Sequence, residues 1–210
     1  MKRFDSATPR RAPAIWLALA SPELDLRLLS VAGGNVGLGH TLRNARAVAG
    51  LTGRDVPVVA GAVGPLLGAF TSETRVHGAD GLAGVALPEG PPARPGVAAD
   101  AIRALLRAEQ RVTLVGIGPA TLRLLEGVPS SRRFAHRGFP QQDPCAVAWL
   151  LAPGLFTARA VHVQVDCGPG AARGRTVVDR WERGGAAPNA RLLETLDADG
   201  FFALLASRLA

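Results

Sequence analysis

The 210-residue chain is 48% hydrophobic and 20% charged, enough apolar side chain for a packed core, which excludes disorder as a description of the whole. No run of about twenty apolar residues occurs, and no Gly-X-Y or heptad period, so a membrane-spanning helix and the fibrous classes are excluded too. The net charge of +7 is carried by arginines, Lys2 being the one lysine, and these are interleaved with acids in a chain with 5% aromatics and no tyrosine, which argues against a nucleic-acid surface.

In chain order, the basic residues Lys2, Arg3, Arg10 and Arg11 precede the apolar run from Ala14 to Ala20. This resembles a weak secretory signal. It also reads as a core helix with Pro13 in its first turn, and the shortness of the run favours the helix. Leu24 to Val31 is predicted as a strand ending in the loop Ala32-Gly33-Gly34-Asn35, followed by a helix over Thr41 to Leu51 and a strand over Val56 to Ala60. Residues 61 to 96 are rich in glycine and proline, too long for a simple connection, and are expected to form a lid or rim. Val97 to Glu109 is predicted helical and Arg111 to Ile117 a strand, with a further helix starting at Gly118-Pro119. Residues 127 to 142 carry no period. Asp143 is expected to N-cap a helix over Cys145 to Leu151. Strands over Ala160 to Val165 and Thr176 to Val178, joined by a Gly-rich turn, precede a strand over Asn189 to Leu196 and an amphipathic helix over Ala198 to Leu209. The alternation predicts an α/β fold, a Rossmann-like and mostly parallel sheet flanked by helices. The expectation is a single domain over 1–210, with 1–11 irregular. Cys145 and Cys167, the only cysteines, exclude a disulfide scaffold and fit a reducing, cytoplasmic setting.

In an open parallel sheet the site lies at the carboxyl ends of the strands, here the loops Ala32 to Val36, the start of 61–96, and Gly118 to Thr121. Those loops, with other short motifs, resemble one family. Ser21-Pro22-Glu23-Leu24, Val31-Ala32-Gly33-Gly34-Asn35-Val36, Thr41 with Arg43-Asn44-Ala45, His77-Gly78 with Asp80-Gly81-Leu82, Thr113-Leu114-Val115 with Gly118-Pro119-Ala120-Thr121, Asp143-Pro144-Cys145-Ala146-Val147-Ala148, Thr176-Val177-Val178-Asp179 and Pro188-Asn189-Ala190 stand in the order found in the inosine–uridine preferring nucleoside hydrolases.

That resemblance implies cleavage of the N-glycosidic bond of a ribonucleoside to ribose and free base, with a bound Ca²⁺, and a homo-oligomer without nucleic-acid or membrane partners. It implies ribose contacts from Asn35, an active-site histidine at His77, and metal ligands at Asp143, at the carbonyl of Thr121 and, one place out of register, at Asp5. From the residues alone, Asn35 is equally a turn residue, His77 a solvated loop histidine, Asp143 a helix cap and Thr121 a turn threonine. His40, His136 and His162 suggest no ligand set, and Cys145 reads as a small core residue.

The chain departs from the family pattern in two places. The aspartate-rich segment expected before the first helix falls on Phe4 to Arg11, where the adjacent carboxylates become Arg10 and Arg11 and the general base becomes Ser6. That segment also lacks the apolar run of a first strand. A middle section between Glu126 and Asp143 is missing, and the histidine expected before Asp143 is Gln142. Two functions follow from this pattern: a nucleoside N-ribohydrolase, or an inactive homologue that serves as a binding or assembly subunit or is the product of a decayed gene.

Overall fold

The computed structural model describes residues 13–66, 68–72, 74–82, 85–116 and 142–209. Asp5, Ser6, Arg10, Arg11, Thr121, the helix expected after Gly118 and residues 127–141 lie outside them. The chain divides into two compact units, Met1–Leu151 with Leu205–Ala210, and Ala152–Leu204. No helix among the described residues is long and apolar enough to cross a membrane.

The first unit is built on α2, Leu38–Leu51. One of its faces, Ala45 and Ala49 with Leu42, packs on Val58, Leu29 and Val31 of two short strands, β1 (Leu29–Val31) and β2 (Val58–Ala60). Alanine at these positions lets the helix approach the β-branched surface closely. A second face, Ala47, Val48 and Leu51, meets Ile15 and Trp16 of α1 (Pro13–Ala20) and the loop residues Leu82, Val85 and Leu87. Leu17 of α1 is fully buried, and the Ser21 hydroxyl donates to its carbonyl at 2.7 Å, closing the last turn. Arg54 donates to the Leu19 carbonyl at 2.8 Å, where the helix end carries partial negative charge.

β1 and β2 are parallel, in register Leu29↔Val58 to Val31↔Ala60. Both are shorter than the sequence pattern suggests, because among the described residues their ladder runs along three residues only. The strand expected over Arg111 to Ile117 is not formed in its described part: residues 111–116 join no ladder among the described residues. Val112, Leu114 and Val115 are 36%, 66% and 41% exposed. Strand propensity without a neighbouring edge yields an extended segment only. That segment follows α4 (Ala98–Ala108), whose end is held near the start of β1 by the ion pair Arg27–Glu109 at 2.8 Å.

In its described residues the 61–96 excursion is irregular apart from α3 (Thr74–His77) and a bridge from Val59 to Arg94. α5 runs Gln142–Leu151 and packs on α1. Asp143 therefore sits inside its first turn and not at the cap, a shift of the helix start that still places a negative charge at the positive end.

The second unit is a three-stranded antiparallel sheet in the order β4-β3-β5, with β3 Phe156–Val165, β4 Thr176–Asp179 and β5 Ala190–Leu196. A short 3-10 turn, Pro153–Leu155, leads into β3, and α6 (Ala198–Leu209) follows β5 with Phe201 buried. At the end of β4 the Asp179 carboxylate accepts backbone N–H groups of Gly184 at 2.7 Å and Arg183 at 3.1 Å, within a turn where Glu182 has φ +56°. These bonds hold its pKa below the ordinary value. The turn is thus held at neutral pH and released only as acid protonates a group of depressed pKa.

The exposed segment 111–116 and the edge of β5, unpaired among the described residues, are surfaces of the kind that pair with other strands. Light scattering of the purified chain at micromolar concentration is expected to show a dimer or larger species, and Leu114→Lys to shift it towards monomer. A stable wild-type monomer would refute this.

Candidate functional site

The parallel order of β1 and β2 brings the loops after both strands to the same end of the first unit. Loop 32–36 and loop 61–64 are tied backbone to backbone. Gly61 donates to the Val31 carbonyl at 2.7 Å, and Gly33 to the Ala62 carbonyl at 2.9 Å. A Cβ on Gly33 would stand 2.3 Å from the Val63 carbonyl oxygen, so only glycine permits this approach. From the other side, the Thr41 hydroxyl at the start of α2 donates to the Ala32 carbonyl at 3.0 Å. Asn35 therefore sits on a loop fixed at Ala32, Gly33 and the buried Val36.

His77 ends α3 and leads into the third loop. After α3 the chain turns through Gly78 to Leu82. The Asp80 carboxylate accepts the Leu82 N–H at 2.9 Å, and Leu82 is buried in the core beside α2. Farther on, Arg46 of α2 binds the segment 89–91: its Nε donates to the Pro91 carbonyl, and its guanidinium donates to the Gly90 carbonyl at 3.1 Å. The excursion expected to be a lid or rim is, in these stretches, a rim bolted to α2.

Asn35 thus lies on a loop tied to 61–64, and His77, the last residue of α3, precedes a turn whose Gly81 stands against Val36. Asp143 lies elsewhere, on α5, and belongs to none of the three loops. It raises the pKa of the Cys145 thiol through its charge, second to the larger effect of burial. Among the described residues no three of His, Cys, Asp and Glu come together as a cation set. Ca²⁺ takes six to eight oxygen ligands, and one described carboxylate beside a thiol does not fit that demand. Gln142, at the start of α5, is exposed. Its amide carries no titratable proton to give a leaving group.

A cavity of about 240 Å³ opens in the second unit beside His162, Asp179 and Glu182. Two of its polar groups are already occupied: His162 Nδ1 pairs with the Ala187 carbonyl at 2.9 Å, and Asp179 holds its own turn. The loop cluster of the first unit is the stronger candidate. What sequence reasoning missed there is how the cluster is held. Asn44, Arg46 and Gly81 stand near or within motifs that were visible, but nothing local marks their long-range partners.

The sequence pattern described as inosine-uridine preferring nucleoside hydrolase matches residues 11–122 and 123–203. The pyrimidine-specific ribonucleoside hydrolase RihA of Escherichia coli is 30% identical, with 94% of each chain covered. RihA of Citrobacter koseri is 29% identical over 95% of this chain and 94% of its own. Among solved structures, the purine-preferring ribonucleoside hydrolase of Gardnerella vaginalis superposes with a TM-score of 0.69 at 21% identity, covering 94% of this chain and 93% of that one. A plant nucleoside hydrolase gives 0.67 at 20% identity, covering 97% and 96%. At those identities the structural likeness carries the α/β fold alone.

Burial and the Asp143 charge together predict a slow thiol. Iodoacetamide at pH 8 is expected to modify Cys145 more slowly than the exposed Cys167. Asp143→Asn should bring the Cys145 titration down towards that of an ordinary thiol. An unchanged rate in the variant would place Asp143 away from the sulfur.

Proposed function

This chain belongs to the inosine–uridine preferring nucleoside hydrolase family, and we propose that it binds a ribonucleoside at the joined loops 32–36, 61–64 and 77–82 without the equipment to hydrolyse it efficiently. The observation that carries this reading is the contrast between two sets of positions. The loops with Asn35 and His77 are assembled and anchored, whereas the proton-donor position preceding Asp143 is Gln142.

The Asn35 carboxamide offers both a donor and an acceptor, the pair that a ribose hydroxyl needs. His77 offers a ring nitrogen to a hydroxyl or to the base. Hydrolysis needs more. Departure of the base requires a proton at a ring atom, and attack on the sugar requires a base to take a proton from water, in a transition state with oxocarbenium character. Ser6 and Gln142, at the positions the family pattern assigns to base and acid, supply neither. A metal ion bound in such a site would orient the sugar and acidify water. The described donors here do not fit one, and no step is derived through it.

A second reading is an active N-ribohydrolase completed by Asp5, Asp143 and a partner copy; the homology to ribonucleoside hydrolases favours it.

Two measurements separate the readings. The purified chain is expected to release no free base from inosine or uridine above an enzyme-free control. Turnover that falls in His77→Ala or Asn35→Ala would establish the active reading. Calorimetric titration with Ca²⁺ should show no site tighter than about millimolar, because carboxylate count sets affinity. A micromolar site lost in Asp143→Asn would overturn the proposal.

A further inference from the structure

Loops 32–36 and 77–82 are separated by some forty residues of sequence, yet they meet at one point. Asn44, in the middle of α2, donates from Nδ2 to the Asp80 carbonyl at 2.8 Å. That bond fixes the orientation of the amide, since only the nitrogen can face a carbonyl. Oδ1 is then buried, without a hydrogen-bond partner among the described residues. Beside it, Gly81 has φ +75°, a conformation that favours glycine. A Cβ there would stand 2.8 Å from Cγ2 of Val36 and 3.4 Å from Nδ2 of Asn44. Val36 is the residue after Asn35, and Leu82 is the residue after Gly81. Both are buried, at 2% and 3% exposure.

We infer that Asn44 and Gly81 form a clasp that makes the Asn35 loop and the His77 loop one mechanical unit, and that Asn44 is thereby a positioning residue for both nucleoside contacts. The inference rests on the nucleoside-binding reading. Leu82 alone would anchor its loop to the core, but burial of an aliphatic side chain is non-directional and leaves the turn free to rock about it. The Asn44 amide removes that freedom by gripping the Asp80 carbonyl. The close approach of Gly81 to Val36 then transmits the position of one loop to the other. The unpartnered Oδ1 is consistent with a residue kept for the geometry that its nitrogen enforces, because an alanine would avoid leaving a buried acceptor unpaired.

The test uses the full chain in three variants. Asn44→Ala and Gly81→Ala break the clasp. Gly53→Ala imposes a side chain at the comparable φ of +68°, where nothing lies within 4 Å of the new Cβ, and is the control for backbone strain. By hydrogen–deuterium exchange, Asn44→Ala and Gly81→Ala should each speed exchange in both 32–36 and 77–82, and Gly53→Ala in neither. Faster exchange confined to 77–82 would overturn the clasp. The positioning role has its own readouts: the His77 imidazole NMR resonance, and the inosine dissociation constant at a temperature where all variants are folded. The resonance should shift in both clasp variants, and inosine should bind about tenfold more weakly or worse, as misplaced contacts do. Unchanged inosine affinity alongside faster exchange would overturn the positioning role. A wild-type chain that binds no inosine would refute the nucleoside reading itself, and the exchange measurement would still decide whether the two loops move as one.

Discussion

The structure of the first unit depends on α2 having two packing faces and a set of polar side chains between them. A loop excursion through residues 61–96 exposes many backbone carbonyls, and an irregular backbone must find partners for its polar groups or leave them to water. Asn44 and Arg46 supply those partners from the helix to Asp80, Gly90 and Pro91. Ala47 and Val48 receive Leu82 and Leu87 from the same excursion. The magnitudes divide the labour. Each fully buried aliphatic side chain contributes roughly 1.5–3 kcal/mol, whereas a neutral hydrogen bond nets roughly 0.5–1.5 kcal/mol. The apolar anchors therefore hold the excursion on the helix, and the polar ones decide where along it each turn sits.

Much of this was legible in the sequence wherever an element closes on itself. A helix satisfies its own backbone, so periodicity is enough: α1, α4 and α6 lie where the apolar spacing puts them, α6 at the expected residues. A strand needs a neighbour, which no local pattern encodes. Leu24 to Leu28 and residues 111–116 carry strand-like residues, yet neither stretch forms a ladder in the described structure, since β1 pairs with β2 over three residues only. The hairpin of β3 and β4 was easier because its partner is adjacent in sequence and the Gly-rich turn announces it.

The candidate site shows the same division. Asn35 and His77 stand out because their motifs match a family, and the α/β connectivity predicts that loops after parallel strands share an end of the sheet. The bonds that make those loops a site are invisible in the sequence. Asn44 and Asp80 are 36 residues apart, Arg46 and Pro91 are 45 apart, and in each pair the acceptor is a backbone carbonyl that any residue would offer. No residue type at the accepting end betrays the contact.

Packing also separates the two kinds of family likeness in this chain. Gly33 is required by the Val63 carbonyl, Gly81 by Val36, and Val36 and Leu82 by the core around α2. Motifs built from such residues persist for reasons of folding, whatever chemistry the loops perform. Gln142 is under no such constraint: it is exposed at the start of α5, and a histidine there would meet no core. The described packing therefore does not dictate glutamine at that position. On the proposed reading, a chain that matches its family where packing demands it, and departs where only proton transfer would demand it, keeps the binding scaffold without the means to move protons across it.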